Sequence, residues 1–138
     1  MAQDPYTEHP LYQELYDYAD QLFEFLDENC AEDSAWPNAL DLDEIERHLM
    51  DAVSQLSIAI NIGSEDSRTP ELLELLGHSF NNLRIVENLL RNILLDGALS
   101  GQEQEVRAAL NGFLKRGITL ERLLLKLLNE VGANLKLI

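Results

Sequence analysis

At 138 residues and 46% apolar, the chain has material for one domain with a sizeable core. Its formal charge of −15 is segregated: residues 1–69 hold seventeen acids against Arg47 and Arg68, while residues 70–138 balance eight acids with eight bases. This pattern excludes a phosphate-binding surface on the first half, a single cysteine excludes an internal disulfide, and the short apolar runs exclude a membrane span.

Leucine dominates the apolar set and there are only four prolines, a balance that favours helix over sheet. Residues 1–9 read as an N-terminal tail and residues 10–138 as one domain. The segment Met1 to Pro5 has neither the positive nor the apolar region of a signal peptide. Cys30 has no neighbouring base to lower its pKa, so it reads as an inert thiol in a reducing compartment, and a cytoplasmic location is expected.

The first helix is expected from about Pro10 to Asn29. Leu11, Leu15, Tyr18, Leu22 and Phe25 recur at steps of four and three, which is one stripe on a helix. Glu14, Asp17, Asp20, Glu24, Asp27 and Glu28 occupy the remaining arc as a solvated acidic ridge. Pro37 and Asn38 mark the next connection, and Trp36 within it reads as a lid over one end of the core.

The second helix starts near Asp41, read as its N-cap, with Asp43 and Glu44 placed well in the first turn. Its stripe is Ile45, Leu49, Ala52, Leu56 and Ala59, and it stops at Gly63-Ser64. Thr69-Pro70, a cap followed by proline at the first helical position, opens the third helix. Leu72, Leu76, Ser79, Leu83, Val86, Leu90 and Ile93 carry that stripe towards Gly97.

Ser100 and Glu103 form a Ser-x-x-Glu capping box that begins the fourth helix. Its stripe is Val106, Leu110, Phe113, Gly117, Leu120, Leu124, Leu127 and Val131. Gly112 and Gly117 each cost about 1 kcal/mol against Ala, so a close helix contact or a bend is expected at them. The whole pattern predicts an all-α fold, an antiparallel up-down four-helix bundle.

The run Leu123-Leu124-Leu125-Lys126-Leu127-Leu128 is apolar on almost every side, more than one inward arc requires. Leu73, Leu75, Ile85 and Leu89 repeat the excess on the third helix. Self-association through the two charge-balanced helices is therefore expected, with Leu125 and Leu128 at the interface. Glu14, Asp17, Glu24 and Glu28 are the expected contacts for a basic protein partner.

No catalytic or cofactor signature is evident. His48 follows Glu44 by four residues and His78 follows Glu74 by four, whereas di-iron bundles use a spacing of three, so each pair reads as a solvated Glu–His contact. Arg91-Asn92 is similar to the start of the HEPN ribonuclease motif, but Leu95, Asp96 and Gly97 fill the window that needs a histidine. No glycine-rich phosphate loop, paired buried carboxylates or Ser/Cys–His arrangement is expected. Asn61 and Glu87 lie beside apolar stripes and are read as interhelical polar contacts.

The stretch Leu56-Ser-Ile-Ala-Ile-Asn-Ile62, with Gly97-Ala-Leu-Ser100 before the fourth helix and Glu87 midway through the third, resembles a bacterial family. These are the four-helix bundle proteins encoded in ribosomal RNA intervening sequences, akin to the accessory variability determinant of diversity-generating retroelements. Members typically end helix 2 with Ser-Ile-x-x-Asn-Ile-Ala-Glu-Gly, matched by Ser57, Ile58, Asn61 and Ile62. The resemblance spans roughly residues 45–130. It implies a non-catalytic bundle in a ring-shaped homo-oligomer, a pentamer, that serves a reverse transcriptase and nucleic acid. Here Gly63-Ser64-Glu65 replaces Ala-Glu-Gly, and a five-fold ring would carry five times −15, which argues against direct nucleic-acid binding. The expected function is thus a scaffold or adaptor for a basic protein, possibilities including a reverse transcriptase or other nucleic-acid enzyme. The alternative is an acidic nucleic-acid mimic that fills a partner's phosphate-binding groove.

Overall fold

The computed structural model describes residues 9–29, 39–62, 69–95 and 101–136. They form four helices, α1 (Pro10–Asn29), α2 (Ala39–Ile62), α3 (Thr69–Leu95) and α4 (Gly101–Lys136), with no strand among the described residues. Each helix packs on its sequence neighbours, and α1 also packs on α4, so the four close around one core. Cys30, Trp36, Gly63-Ser64-Glu65 and Gly97-Ala-Leu-Ser100, and with the last the capping box, lie outside the described residues.

Local chemistry accounts for the helix ends. His9 starts α1: its Nδ1 accepts from the Leu11 amide at 3.2 Å and its carbonyl from the Gln13 amide at 3.0 Å, satisfying two amides that a helix start leaves bare. Asn29 donates its side-chain amide to the Phe25 carbonyl at the other end. α2 begins at Ala39, two residues before Asp41, so Asp41 belongs to the first turn and is not its N-cap. The Arg107 guanidinium of α4 donates to the Leu94 carbonyl, closing off an otherwise unsatisfied acceptor in the last turn of α3.

The core follows the 3–4 spacing. Leu15, Leu22, Ile45, Leu49, Leu56, Leu90 and Leu110 are wholly buried, and truncating any one of these leucines to Ala would cost about 2–5 kcal/mol. On α1 the buried line ends at Leu26, not Phe25; Phe25 turns sideways to meet Phe113 of α4, ring centroids 5.5 Å apart. Between α2 and α3 the buried Ser79 hydroxyl donates to the Ala52 carbonyl at 2.8 Å, and these two small residues let the helices approach closely.

The leucine surplus is partly taken up by this single bundle. Leu75, Leu89, Leu127 and Leu128 pack against the core, whereas Ile85, Leu123 and Leu125 stay exposed. No helix among the described residues is long and apolar enough to cross a membrane.

Candidate functional site

Two features stand out once the helices are in place: a pair of carboxyls inside the α3–α4 seam and an acidic flank on α1 and α2. Of the two carboxyls, Glu121 is buried and Glu87 half-buried, a pairing that apolar spacing alone does not anticipate. Glu121 of α4 is only 7% exposed, its Oε2 is buried without a donor among the described residues, and the Glu87 carboxyl of α3 faces it across the seam. Two carboxylates cannot bond to each other, since both only accept, so a hydrogen bond between these two groups requires that one of them hold a proton. Burial is the main cause that pushes the Glu121 carboxyl up to about 8, with the Glu87 hydrogen bond and charge reinforcing it. That same hydrogen bond, received from Glu121, holds Glu87 below the usual carboxylate range, assisted by Arg91 and Arg84 against the cost of burial. At neutral pH Glu121 therefore keeps the proton and Glu87 carries the charge.

Cations close the pair off. Arg91 donates its Nε to Glu87 Oε2 at 2.7 Å, one turn along α3, and Arg84 Nε stands 3.8 Å from Glu121 Oε1. Tyr18 of α1, also buried, has its hydroxyl raised by burial above its ordinary range, with Arg116 opposing and both glutamates adding. The Arg116 guanidinium lies 5.5 Å from the Tyr18 ring and 5.6 Å from the Phe113 ring, and it donates to Gln21 Oε1 at 2.7 Å.

A raised carboxyl beside an ionised one is the arrangement that acid–base catalysis uses. Chemistry also requires room for a substrate. Open grooves lie between α1 and α2 and at the two ends of the α1–α4 seam, and neither carboxyl lines these three. What the pair does visibly is join α3 to α4 through a polar contact inside an apolar seam, where a slip in register would strand a charge.

Glu121 is inconspicuous in the sequence because it follows Leu120, which continues the stripe. The missed signal is Leu114, Gly117, Glu121, Leu124 and Leu128, a second 3–4 line on which Glu121 occupies an inward position.

The acidic flank is built differently. Glu14, Asp17, Glu24 and Glu28 are all exposed on α1, as the arc predicts, with Glu14 and Glu28 turned to the α4 side beside Leu123 and Glu105. α1 contains no base, and α2 contains only Arg47. Glu46 on α2 has its carboxyl raised by partial burial and then by the charges of Asp27 on α1 and Asp43 on α2. Asp27 and Asp43 therefore lie close enough to Glu46 for their charges to disfavour its ionised form.

The remaining predicted residues are distributed over the bundle. Asn61 is exposed near the end of α2, Leu125 is 42% exposed on α4, and Leu128 is half-buried, packed on its own core. His78 lies 3.5 Å from Glu74, as its spacing predicts. His48 does not turn to Glu44: its Nδ1 is 2.7 Å from Asn82 Oδ1 on α3, and Asn82 in turn donates to Gln55 Oε1 at 2.8 Å. Among the described residues no group of three His, Cys, Asp or Glu side chains could hold a metal.

Fold and site together define an all-helical bundle with a polar pair in one seam and an acidic flank on the opposite side. No protein-family model, no curated protein and no solved structure matches the chain.

Proposed function

We propose that this chain is a non-catalytic scaffold or adaptor whose α1–α2 flank binds a basic protein. The observation that carries the reading is the concentration of acids on this flank: α1 holds no base, α2 holds only Arg47, and Asp27 and Asp43 are exposed beside the half-buried Glu46. Charges held together at a cost in the free protein are relieved when a partner brings bases to them. A phosphate mimic needs charge alone, whereas this flank combines acids with an apolar groove, which favours a protein partner over mimicry.

The reading includes an antiparallel up-down arrangement, supported by contacts that run in opposite chain directions. Ala52 meets Ser79 while His48 meets Asn82, and Glu121 meets Arg84 while Arg107 meets Leu94. It also includes self-association through the face that exposes Leu125. The resemblance carried by Ser57, Ile58, Asn61, Ile62 and Glu87 adds a pentameric ring acting beside a reverse transcriptase. The test is kinetic. Association with a basic partner is fast at low salt and slows steeply as ionic strength rises, because the Debye length shrinks to about 8 Å at physiological salt. A rate indifferent to salt would assign the charge to solubility instead.

A further inference from the structure

Resting on the adaptor reading, the structure points to a narrower partner: we infer that the groove between α1 and α2 receives an amphipathic helix with basic residues towards one end. The groove has a volume of about 360 Å³ and is walled by Tyr12, Tyr16 and Phe23 from α1 and Met50 and Val53 from α2. Tyr16 is 52% exposed and Met50 63%, so large apolar side chains face water at its centre. Leaving them there forfeits the burial that a partner's leucines would supply.

The charges lie at one end of this groove. Tyr12, Tyr16, Asp20, Phe23 and Asp27 are spaced four, four, three and four apart, one line along α1. Asp43, Glu46, Met50, Val53 and Ser57 are spaced three, four, three and four apart along α2. Asp27, Asp43 and Glu46 share one neighbourhood, so both lines become acidic towards the end of α1 and the start of α2. The opposite end, at Tyr12 and Ser57, has no charged side chain among its lining residues. A guest helix therefore lays an apolar stripe over Tyr16 and Met50 and sets its lysines or arginines against Asp20, Asp27 and Glu46. From Tyr12 to Phe23 the groove runs about 17 Å, and the line continues to Asp27, about 22 Å in all, enough for about fifteen residues of guest helix. The volume accommodates the guest's inward side chains, and its backbone rides above them. Direction is specified too, since a guest of reversed charge order would meet acids with its neutral end.

The test uses a fifteen-residue synthetic peptide with leucines at helical 3–4 spacing and lysines confined to one end, followed by fluorescence anisotropy. The expected result is saturable one-to-one binding that weakens about tenfold in the Tyr16→Ala/Met50→Ala variant, roughly 1.4 kcal/mol. Both residues are exposed, so the fold is expected to survive, and circular dichroism verifies it. Asp27→Asn/Glu46→Gln removes most of the salt dependence, and a peptide with the lysines moved to the other end binds more weakly. Binding that survives the groove variant but is lost in Glu14→Gln/Asp17→Asn/Glu24→Gln/Glu28→Gln would overturn the groove and leave the adaptor reading standing. Failure of every basic peptide to bind would overturn both. Release of a homo-oligomer into monomers by the groove variant would make a second copy the occupant, and would overturn the inference as well.

Discussion

Tyr18 and Gly117 fit together where α1 crosses α4. A Cβ on Gly117 would lie 2.8 Å from the Tyr18 hydroxyl oxygen, closer than real contacts allow, and the Tyr18 ring is itself fixed by burial. Gly112, one and a half turns earlier, has nothing within 4 Å of such a Cβ and is exposed. The two glycines should therefore respond oppositely to alanine. Gly112→Ala gains up to about 1 kcal/mol from helix propensity. Gly117→Ala loses that gain to the clash and is destabilised by about 1–3 kcal/mol. Urea unfolding of the two variants decides it, and equal effects would contradict the packing.

The Glu87–Glu121 pair predicts an unusual pH profile. Glu121 has a raised value in the folded protein, so its contribution is complete below the ordinary carboxylate value of 4.5 and is lost as pH rises through about 8. Glu46, also raised, has the same sign. Glu87 is lowered, so its contribution is present above the ordinary value and fades as pH falls through its folded value. Stability should thus decline from pH 5 to pH 8, with Glu121 supplying a slope of up to about 1.4 kcal/mol per pH unit. Glu121→Gln still donates to Glu87 and removes that slope, so it gains on the parent protein as pH rises. Parallel profiles for the two proteins would show that the pair shares no proton.

Apolar spacing was enough for all four helices, because burial of one face dictates where leucines recur and little competes with it. It also placed Glu14, Asp17, Glu24 and Glu28 outward, since a helix offers that arc no other role. Spacing within one helix says nothing about what stands opposite, however. Glu121 meets Glu87, and His48 meets Asn82, through partners 34 residues away in each case. The groove was hidden for the same reason: Tyr16 and Met50 lie on different helices, and only packing brings them side by side.

His48, Asn82 and Gln55 form a chain of side-chain hydrogen bonds tying α2 to α3. Asn82→Ala removes both links and should cost about 1–2 kcal/mol, with His48→Ala costing about half as much. In the double variant the losses should fall short of additive, because the two side chains share one bond. Strict additivity would mean that the contact contributes nothing.

Leu125 and Leu128 separate assembly from folding. Leu125 is exposed, while the Leu128 side chain reaches Gly77 of α3, its Cδ1 being 3.9 Å from a Cβ placed there. Leu125→Glu should dissociate a homo-oligomer with helicity intact, as measured by sedimentation equilibrium and circular dichroism. Leu128→Glu places a charge against the core and should lower thermal stability as well. A monomer at micromolar parent protein would remove self-association from the account.

The central claim is that the acidic flank recruits a basic protein, and comparative co-purification tests it most directly. The parent protein and the Asp27→Asn/Asp43→Asn/Glu46→Gln variant are each used as bait in extracts of the source cell, at low and at physiological ionic strength. The account predicts a basic partner held by the parent protein, weakened by salt and strongly depleted on the variant, with fold and assembly unchanged. The same proteins bound in the same amounts to both baits at every ionic strength would contradict it.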